Sequence, residues 1–161
     1  MARWLVKSEP DVFSYDDLVR AKREGWDGIR SYQARNYMRE MRKGDKLVIY
    51  HTGDERRAVG TAHVLSVDAT DPKVPLVKIA SGKALPHPVA LSDIKQSVLF
   101  IDSPLLRIGR LSVVPLTDTQ YQALLSGELC TSKGSAMTKR IWMCVSLALA
   151  LMPTVALAAQ A

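Results

Sequence analysis

The stretch WDGIRSYQARN at residues 26–36 concentrates aromatic, amide and guanidinium side chains that could hold a flat, anionic ligand. Trp26 would supply a wall on which a nucleic-acid base stacks, a contact that contributes about 1–3 kcal/mol per base. Gly28 would let the backbone approach such a base closely or adopt a positive φ. The side chains that could read the edge of the base are Ser8, Ser31, Tyr32, Asn36, Tyr50 and His51. The stretch therefore predicts the wall of a binding pocket.

Several of these residues also have a purely structural interpretation. A single tryptophan is most often part of a core, so Trp26 would equally fill the interior of the fold. Gly28 would serve in an ordinary turn, Asn36 would be an amide on a helix surface, and His51 would be a hydrogen-bonded structural histidine. Trp4 lies inside an apolar run and is assigned to the core.

Basic charge is concentrated around this stretch. From Arg20 to Lys46 there are nine Lys or Arg residues against four acidic residues, although the whole chain of 161 residues carries a net charge of only +6. A focused basic patch suits contacts with backbone phosphates. The candidate phosphate ligands are Lys7, Arg30, Arg35 and Arg39. Arg35, Arg39 and Arg42 also recur along one helix face, which would equally bind an acidic protein partner.

Length and composition narrow the class of protein. A chain of this length can bury a single core without disulfides or metal ions. Both cysteines, Cys130 and Cys144, lie in the C-terminal part, and the three histidines are well separated. Residues 1–128 therefore contain neither a thiolate site nor a histidine cluster. We expect no metal, no cofactor, a monomeric state and a reducing, cytoplasmic environment.

The composition changes near residue 128, which we take as the domain boundary. Residues 129–161 combine a short cationic segment, an apolar segment and small-x-small patterns, which together are typical of a secretory signal peptide. At a C-terminus such a segment cannot act as a signal peptide, so it indicates a fusion or a read-through product. Residues 141–159 are free of charge and approach the ~20 residues that span a bilayer, so a membrane anchor is the alternative.

Apolar periodicity predicts an α+β domain. Strands are indicated at 4–6, 46–52, 59–67, 74–80 and 111–116, and Pro115 indicates either an edge position or a bulge for the last of these. Helices are indicated from an N-cap at Ser14 to about Gly25, over 33–43, after Ser92, and after a capping box formed by Thr117 and Gln120. Five or six short strands with a few helices favour a sheet curled into a barrel.

Four motifs give this pattern a family resemblance. WLVKSEP at 4–10, WDGIRSYQARN at 26–36, YHT at 50–52 and GRLSVVPL at 109–116 occur in this order, and together they resemble EVE domains over residues 1–128. The resemblance implies a PUA-like fold, a small β-barrel of five to six strands with flanking short helices. It also implies a non-enzymatic, nucleic-acid-binding cleft for a modified base, notably a modified cytosine, in DNA rather than RNA.

The chain departs from the family pattern at three positions. Ser31 stands where many relatives have Asn, Thr52 where Ser is commoner, and Val114 where Gln is usual. Serine can still donate and accept a hydrogen bond, but its side chain is shorter than that of asparagine. These differences affect the choice of modified base more than they affect the fold.

An enzymatic alternative uses residues of the same region. ASCH-type amidohydrolases share the broad fold and resemble this chain in having a Lys, a Glu and a Thr near one cleft, here Lys7, Glu9 and Thr52. A catalytic lysine would need burial to lower its pKa. A hydrolase of modified cytidine and a protein-interaction module that uses the basic helix face are therefore the two alternatives to a base-binding domain.

Overall fold

The computed structural model of the chain describes residues 1–27, 29–71 and 73–129. Its strands are β1 (Arg3–Ser8), β2 (Arg23–Trp26), β3 (Lys46–His51), β4 (Arg57–Asp68), β5 (Leu76–Ala90) and β6 (Val113–Leu116). Its α-helices are α1 (Tyr15–Ala21), α2 (Tyr32–Glu40), α3 (Leu91–Gln96), α4 (Pro104–Arg107) and α5 (Asp118–Ser126), with one 3₁₀ turn at Val98–Phe100. The predictions for Gly28 and for residues 130–161 fall outside the described residues.

The strands form one mixed sheet in the order β2-β5-β4-β3-β1-β6. β1 and β3 are parallel, and the other neighbouring pairs are antiparallel. The α+β class and the six strands are confirmed. The strand pairings of the described residues leave β2 and β6 as edges, so the sheet is open rather than closed into a barrel. Both edge strands are short, and Pro115 in β6 has no N–H with which to extend the ladder.

The centre of the sheet is covered on both faces. In β3, the five residues from Leu47 to His51 are all buried in succession, a pattern typical of a strand with no solvent-facing side. Met38 of α2 and Leu124 of α5 are fully buried against the sheet core. The two clefts described below include residues at the ends of β1, β2 and β3.

A buried carboxylate fastens the start of β1 to the turn before β3. Asp45 is only 3% exposed. Its Oδ1 accepts a hydrogen bond from the backbone N–H of Ala2 at 2.9 Å, and its Oδ2 accepts from Trp4 Nε1 at 3.2 Å and from the N–H of Arg42 at 2.9 Å. The prediction that Trp4 belongs to the core is confirmed, and its indole N–H has a partner there.

Local signals located several element ends correctly. Ser14 is the N-cap of α1 and forms a capping box with Asp17. Thr117 and Gln120 form the predicted capping box of α5. Pro115 lies in an edge strand, as expected.

Three local predictions were wrong. α1 ends at Ala21 rather than Gly25, because Lys22 adopts a positive φ of 62° and Arg23–Trp26 then pairs with β5. Ser92 is not a cap: α3 begins after Ala90, which makes no side-chain capping bond. β5 continues to Ala90, well beyond the predicted end at residue 80.

Candidate functional site

A cleft of about 470 Å³ lies beside Trp26, and we call it the Trp26 cleft. Trp26 is the last residue of edge strand β2, paired with Val77, and its side chain is half-buried. The Phe13 and Trp26 rings form a T-shaped pair, with centroids 6.5 Å apart and planes at 76°. Ile29 and Val12, the latter 79% exposed, complete an apolar lining. An apolar wall of this kind at a cleft mouth suits stacking against a flat ring.

Ser8 shapes the floor of this cleft. It is 7% exposed, and its hydroxyl donates a hydrogen bond to the carbonyl of Phe13. The carbonyl of Ser8 in turn accepts from Thr52, from the backbone N–H at 2.8 Å and from Oγ1 at 3.1 Å. Ser8 therefore fixes the corner between β1 and Phe13, and its hydroxyl oxygen remains able to accept a further hydrogen bond.

The rim of the Trp26 cleft carries three carboxylates, of which sequence reasoning had named only Glu9, and that only for the hydrolase alternative. They belong to Glu9, Glu24 and Asp27, and Lys7 is the single cation among the described lining residues. One oxygen of Glu24 accepts from the N–H of Gly25 at 2.9 Å. Carboxylates accept hydrogen bonds from the exocyclic amine of cytosine, whereas they repel phosphates. The cleft therefore suits a base that carries an amine better than it suits the polymer backbone.

A second cleft, of about 380 Å³, opens beside Lys7, and we call it the basic pocket. Lys7 belongs to both clefts. Its ammonium donates a hydrogen bond to the carbonyl of Gly109 at 2.9 Å, and burial lowers the pKa of this lysine below its usual value. Tyr50, the parallel partner of Lys7 in β3, lines the basic pocket rather than the Trp26 cleft.

His51 has a structural position. It is 5% exposed; its Nε2 accepts from the backbone N–H of Tyr15 at 2.9 Å, and its Nδ1 lies 2.9 Å from Glu55 Oε2. A nitrogen that accepts from a backbone N–H carries no proton, so the proton lies on Nδ1 and is donated to Glu55. The bonds from His51 and Arg57 hold the pKa of the Glu55 carboxyl below its usual range. Both ring nitrogens are thus engaged within the protein.

The candidate base-reading residues around α2 do not line the Trp26 cleft in the described structure. Ser31 is the N-cap of α2 and accepts from the N–H of Ala34 at 3.4 Å. Tyr32 is 70% exposed. The side-chain oxygen of Asn36 accepts from the guanidinium of Arg39.

The candidate phosphate ligands differ in their surroundings. Arg30 is exposed and follows Ile29, which lines the cleft. Arg35 donates from Nη1 to the carbonyl of Lys73 at 2.9 Å, and Arg39 bonds Asn36 within the helix. The structure therefore brings Ser8, Trp26 and Lys7 together. Of the three candidate arginines, Arg30 is the one adjacent in sequence to a residue that lines the cleft.

Four lining residues were not identified as site residues from the sequence: Val12, Phe13, Glu24 and Asp27. One signal was available for Phe13, since an aromatic residue close after the Lys-Ser corner must lie near the end of β1. The carboxylates carried no such signal, because isolated acidic residues in loops are usually only solvated. No group of three or more potential metal-ligating side chains occurs within residues 1–27, 29–71 and 73–129. In the same ranges, no helix has the length and hydropathy needed to cross a membrane.

The open mixed sheet with a parallel β1–β3 pair and flanking short helices defines a PUA-like α+β domain. A family model for the EVE domain matches residues 2–127, and the chain belongs to the EVE domain family. It is 30% identical to thymocyte nuclear protein 1 of Danio rerio, over 79% of this chain and 72% of that protein.

Two solved structures show the same fold. Rpa0253 from Rhodopseudomonas palustris is 34% identical and superposes with a TM-score of 0.72 over 84% of this chain and 100% of that one. The human THYN1 protein, solved in complex with DNA containing 5-methylcytosine, is 26% identical, with a TM-score of 0.66 over 84% of this chain and 100% of that one.

Proposed function

We propose that this protein is a non-enzymatic DNA-binding domain that accepts a modified cytosine, such as 5-methylcytosine, in the Trp26 cleft. The observation that carries the proposal is the half-buried Trp26 ring, braced edge-on by Phe13, at the mouth of a cleft of about 470 Å³. The relative solved with 5-methylcytosine DNA supports both the polymer and the modification.

The energetics of base extrusion are compatible with this cleft. Flipping a base out of a duplex costs a few kcal/mol. Stacking on an aromatic side chain returns about 1–3 kcal/mol, and burying a methyl group adds about 0.8 kcal/mol. Val12, Phe13 and Ile29 supply the apolar surface that a 5-methyl group would contact. A methylated base would therefore gain more from this cleft than an unmodified one.

The polar groups of the cleft favour a base with an exocyclic amine. The carboxylates of Glu9, Glu24 and Asp27 offer acceptors for such an amine, and Ser8 offers a hydroxyl oxygen. Thymine presents a carbonyl where cytosine presents the amine, so a carboxylate acceptor rejects it. Of the candidate phosphate ligands, Lys7 and Arg30 are proposed to contact the strand next to the bound base.

The hydrolase alternative finds less support. Lys7 and Thr52 meet in the basic pocket, but Glu9 lies in the Trp26 cleft. No carboxylate is among the described residues that line the basic pocket, so the Lys–Glu–Thr set is divided between two clefts. We therefore propose binding without turnover.

The test is a titration of the full-length chain with matched duplexes that carry one cytosine or one 5-methylcytosine. The proposal expects a preference for the methylated duplex of about fourfold, the equivalent of the ~0.8 kcal/mol that burial of a methyl group contributes. This preference should persist when salt is raised. Trp26→Ala should abolish the preference and Trp26→Phe should retain most of it. Tyr32→Ala is the control, because this aromatic residue is exposed and lies outside the cleft lining. If Trp26→Ala keeps the wild-type preference, the cleft is not the reading site.

A further inference from the structure

The basic pocket is a second cavity, separate from the Trp26 cleft but in contact with it through Lys7. Three cations line it: Lys7 from β1, Arg56 from the β3–β4 connection, and Lys95 from α3. No carboxylate is among its described lining residues, and none of the three cations forms an ion pair within the described part of the chain. In this respect the basic pocket is the electrostatic opposite of the Trp26 cleft.

A backbone hydrogen bond fixes the loop that carries Arg56 relative to the helix that carries Lys95. Arg56 adopts a positive φ of 43°, a conformation uncommon for a residue with a side chain. In this conformation its carbonyl accepts the backbone N–H of Leu91 at 2.8 Å, at the start of α3. Because α3 also carries Lys95, this one bond couples the Arg56 loop to the helix that supplies the other cation. Arg56 Nε donates to the carbonyl of Gly53 at 2.9 Å, which further orders the side chain.

A neutral donor completes the polar side of the pocket. Tyr50 is 3% exposed, and burial raises the pKa of its phenol, which keeps the hydroxyl protonated. This hydroxyl forms no hydrogen bond with any described residue, although it belongs to a side chain that lines the cavity. The hydroxyl is not among the fully buried polar atoms that lack a partner, so it reaches the open cavity, where it can donate a hydrogen bond to a ligand.

The remaining wall is apolar. Leu91, Leu105 and Leu106 line it, and Leu105 is 4% exposed. A cavity of about 380 Å³ is within the usual size range of small-molecule sites, about 300–1,000 Å³. Cations on one side and leucines on the other match a nucleotide, whose phosphate is anionic and whose sugar has an apolar face.

We propose that the basic pocket binds the nucleotide next to the base held in the Trp26 cleft, with its phosphate on Lys7, Arg56 and Lys95. This inference rests on the proposed function, because it places one DNA strand across the end of β1, where Lys7 contacts both clefts. The pocket contacts the backbone and does not read the base. It therefore contributes affinity without contributing preference for the modification.

The test uses Arg56→Gln and Lys95→Gln in the full-length chain, with Lys83→Gln as a matched control. Lys83 is exposed on β5 and lines neither cleft. Each pocket variant should weaken binding to methylated and unmodified duplexes by the same factor, at least about threefold, and lower the salt slope of log K by about 1. The control should bind like the wild type. Pocket variants that match the control in affinity and salt slope would overturn the inference.

Two further measurements separate the possible failures. Titration with inorganic phosphate and with deoxycytidine monophosphate, followed by the Gly109 amide signal in NMR spectra, tests whether the pocket binds the phosphate group at all. Phosphate binding without any DNA effect of Arg56→Gln or Lys95→Gln would indicate a site for a free phosphate compound and would overturn the DNA assignment. Failure of the proposed function would give a different result. In that case Trp26→Ala would bind methylated and unmodified duplexes with the same preference as the wild type.

Discussion

Phe13 meets Trp26 edge-on, with ring centroids 6.5 Å apart and planes at 76°. Edge-to-face pairs of this kind contribute about 0.5–1.5 kcal/mol beyond the burial of their area. Phe13 also forms part of the corner that Ser8 holds through its hydroxyl. The orientation of the proposed stacking wall thus depends on a residue that follows β1, not on β2 alone.

Replacement of Phe13 should therefore affect recognition through Trp26. Phe13→Ala removes the ring that braces Trp26 and should reduce the preference for 5-methylcytosine toward that of Trp26→Ala, because Trp26 is no longer held in place. Loss of the ring contact itself should lower the free energy of unfolding by about 0.5–1.5 kcal/mol. Phe13→Leu restores apolar volume but not the ring edge, and it should recover stability more than preference. Duplex titrations together with thermal unfolding measure the two effects. An unchanged preference in Phe13→Ala would show that Trp26 is oriented independently.

The carboxylates of the Trp26 cleft should distinguish cytosine from thymine. Glu9→Gln, Glu24→Gln and Asp27→Asn each remove one acceptor. At least one of them should reduce discrimination between flipped 5-methylcytosine and thymine by about 1–3 kcal/mol. Competition between duplexes that differ only at this base gives the measurement, and Glu40→Gln, exposed on α2, is the control. If all three variants discriminate like the control, the amine is read by another group.

Gly60 in β4 should tolerate no side chain. The Tyr15 ring fills the position that a Cβ at Gly60 would occupy. Tyr15 cannot move away easily, because its hydroxyl donates to the carbonyl of Thr61 at 3.2 Å and its backbone N–H donates to His51. Gly60→Ala should lower the free energy of unfolding by about 1–3 kcal/mol or more through overpacking. Gly109→Ala, with open space around its added Cβ, should be close to neutral in the same denaturant titration.

The capping box of α5 should contribute measurably to stability. Thr117 Oγ1 accepts from the N–H of Gln120 at 3.2 Å, and the Gln120 side chain accepts from the N–H of Thr117 at 3.0 Å. Thr117→Ala should cost about 1 kcal/mol of unfolding free energy. Ser92→Ala is the matched comparison, because Ser92 lies within α3 and caps nothing. Equal losses of stability in Thr117→Ala and Ser92→Ala would contradict the assignment of Thr117 as a stabilising N-cap.

The Glu55 carboxylate should make stability depend on acid pH. Bonds from His51 and Arg57 lower the pKa of folded Glu55 below its ordinary value of 4.5. The carboxylate therefore stabilises the fold above pH 4.5, and this contribution is lost as the pH falls through the folded pKa. Because the group is partly exposed, the contribution at pH 7 is at most about 1 kcal/mol.

Urea unfolding of the wild type and Glu55→Gln at pH 7, 5 and 3 measures this contribution. The stability gap between the two proteins should be largest at pH 7 and should shrink at pH 3. Asp54→Asn, an exposed neighbour, is the control for removal of one carboxylate charge from the same loop. A gap that stays constant from pH 7 to pH 3 would contradict the role of the carboxylate charge.

Sequence patterns predicted local structure where the signal is short-range. The caps at Ser14 and Thr117 and the edge position of Pro115 depend on a few neighbouring residues, and all three were predicted correctly. The second half of β5 was missed because its prolines and polar residues carry no strand signal of their own. Its pairing with β4 supplies the stabilisation, and that pairing is a tertiary contact.

The candidate site was predictable only in part. Trp26, Ser8 and Lys7 were identified from the motifs, and they meet at one cleft. Lys7 and Tyr50 are far apart in the sequence. The parallel pairing of β1 with β3 places them side by side, and both line the basic pocket. His51 was predicted as a base-reading residue because an imidazole can donate and accept hydrogen bonds. In the structure its ring nitrogens bond instead to the backbone of Tyr15 and to the carboxylate of Glu55.

The sequence by itself determined the family, the N-caps of α1 and α5 and the aromatic residue that walls the proposed cleft, because each depends on residue types at short spacing. Only the tertiary structure decided that the acidic side chains gather around Trp26 while Arg56 and Lys95 gather beyond Lys7. The reason is that the net charge of a cleft depends on which loops lie next to each other at the ends of the strands. That meeting is set by strand order and register, and no local pattern encodes it.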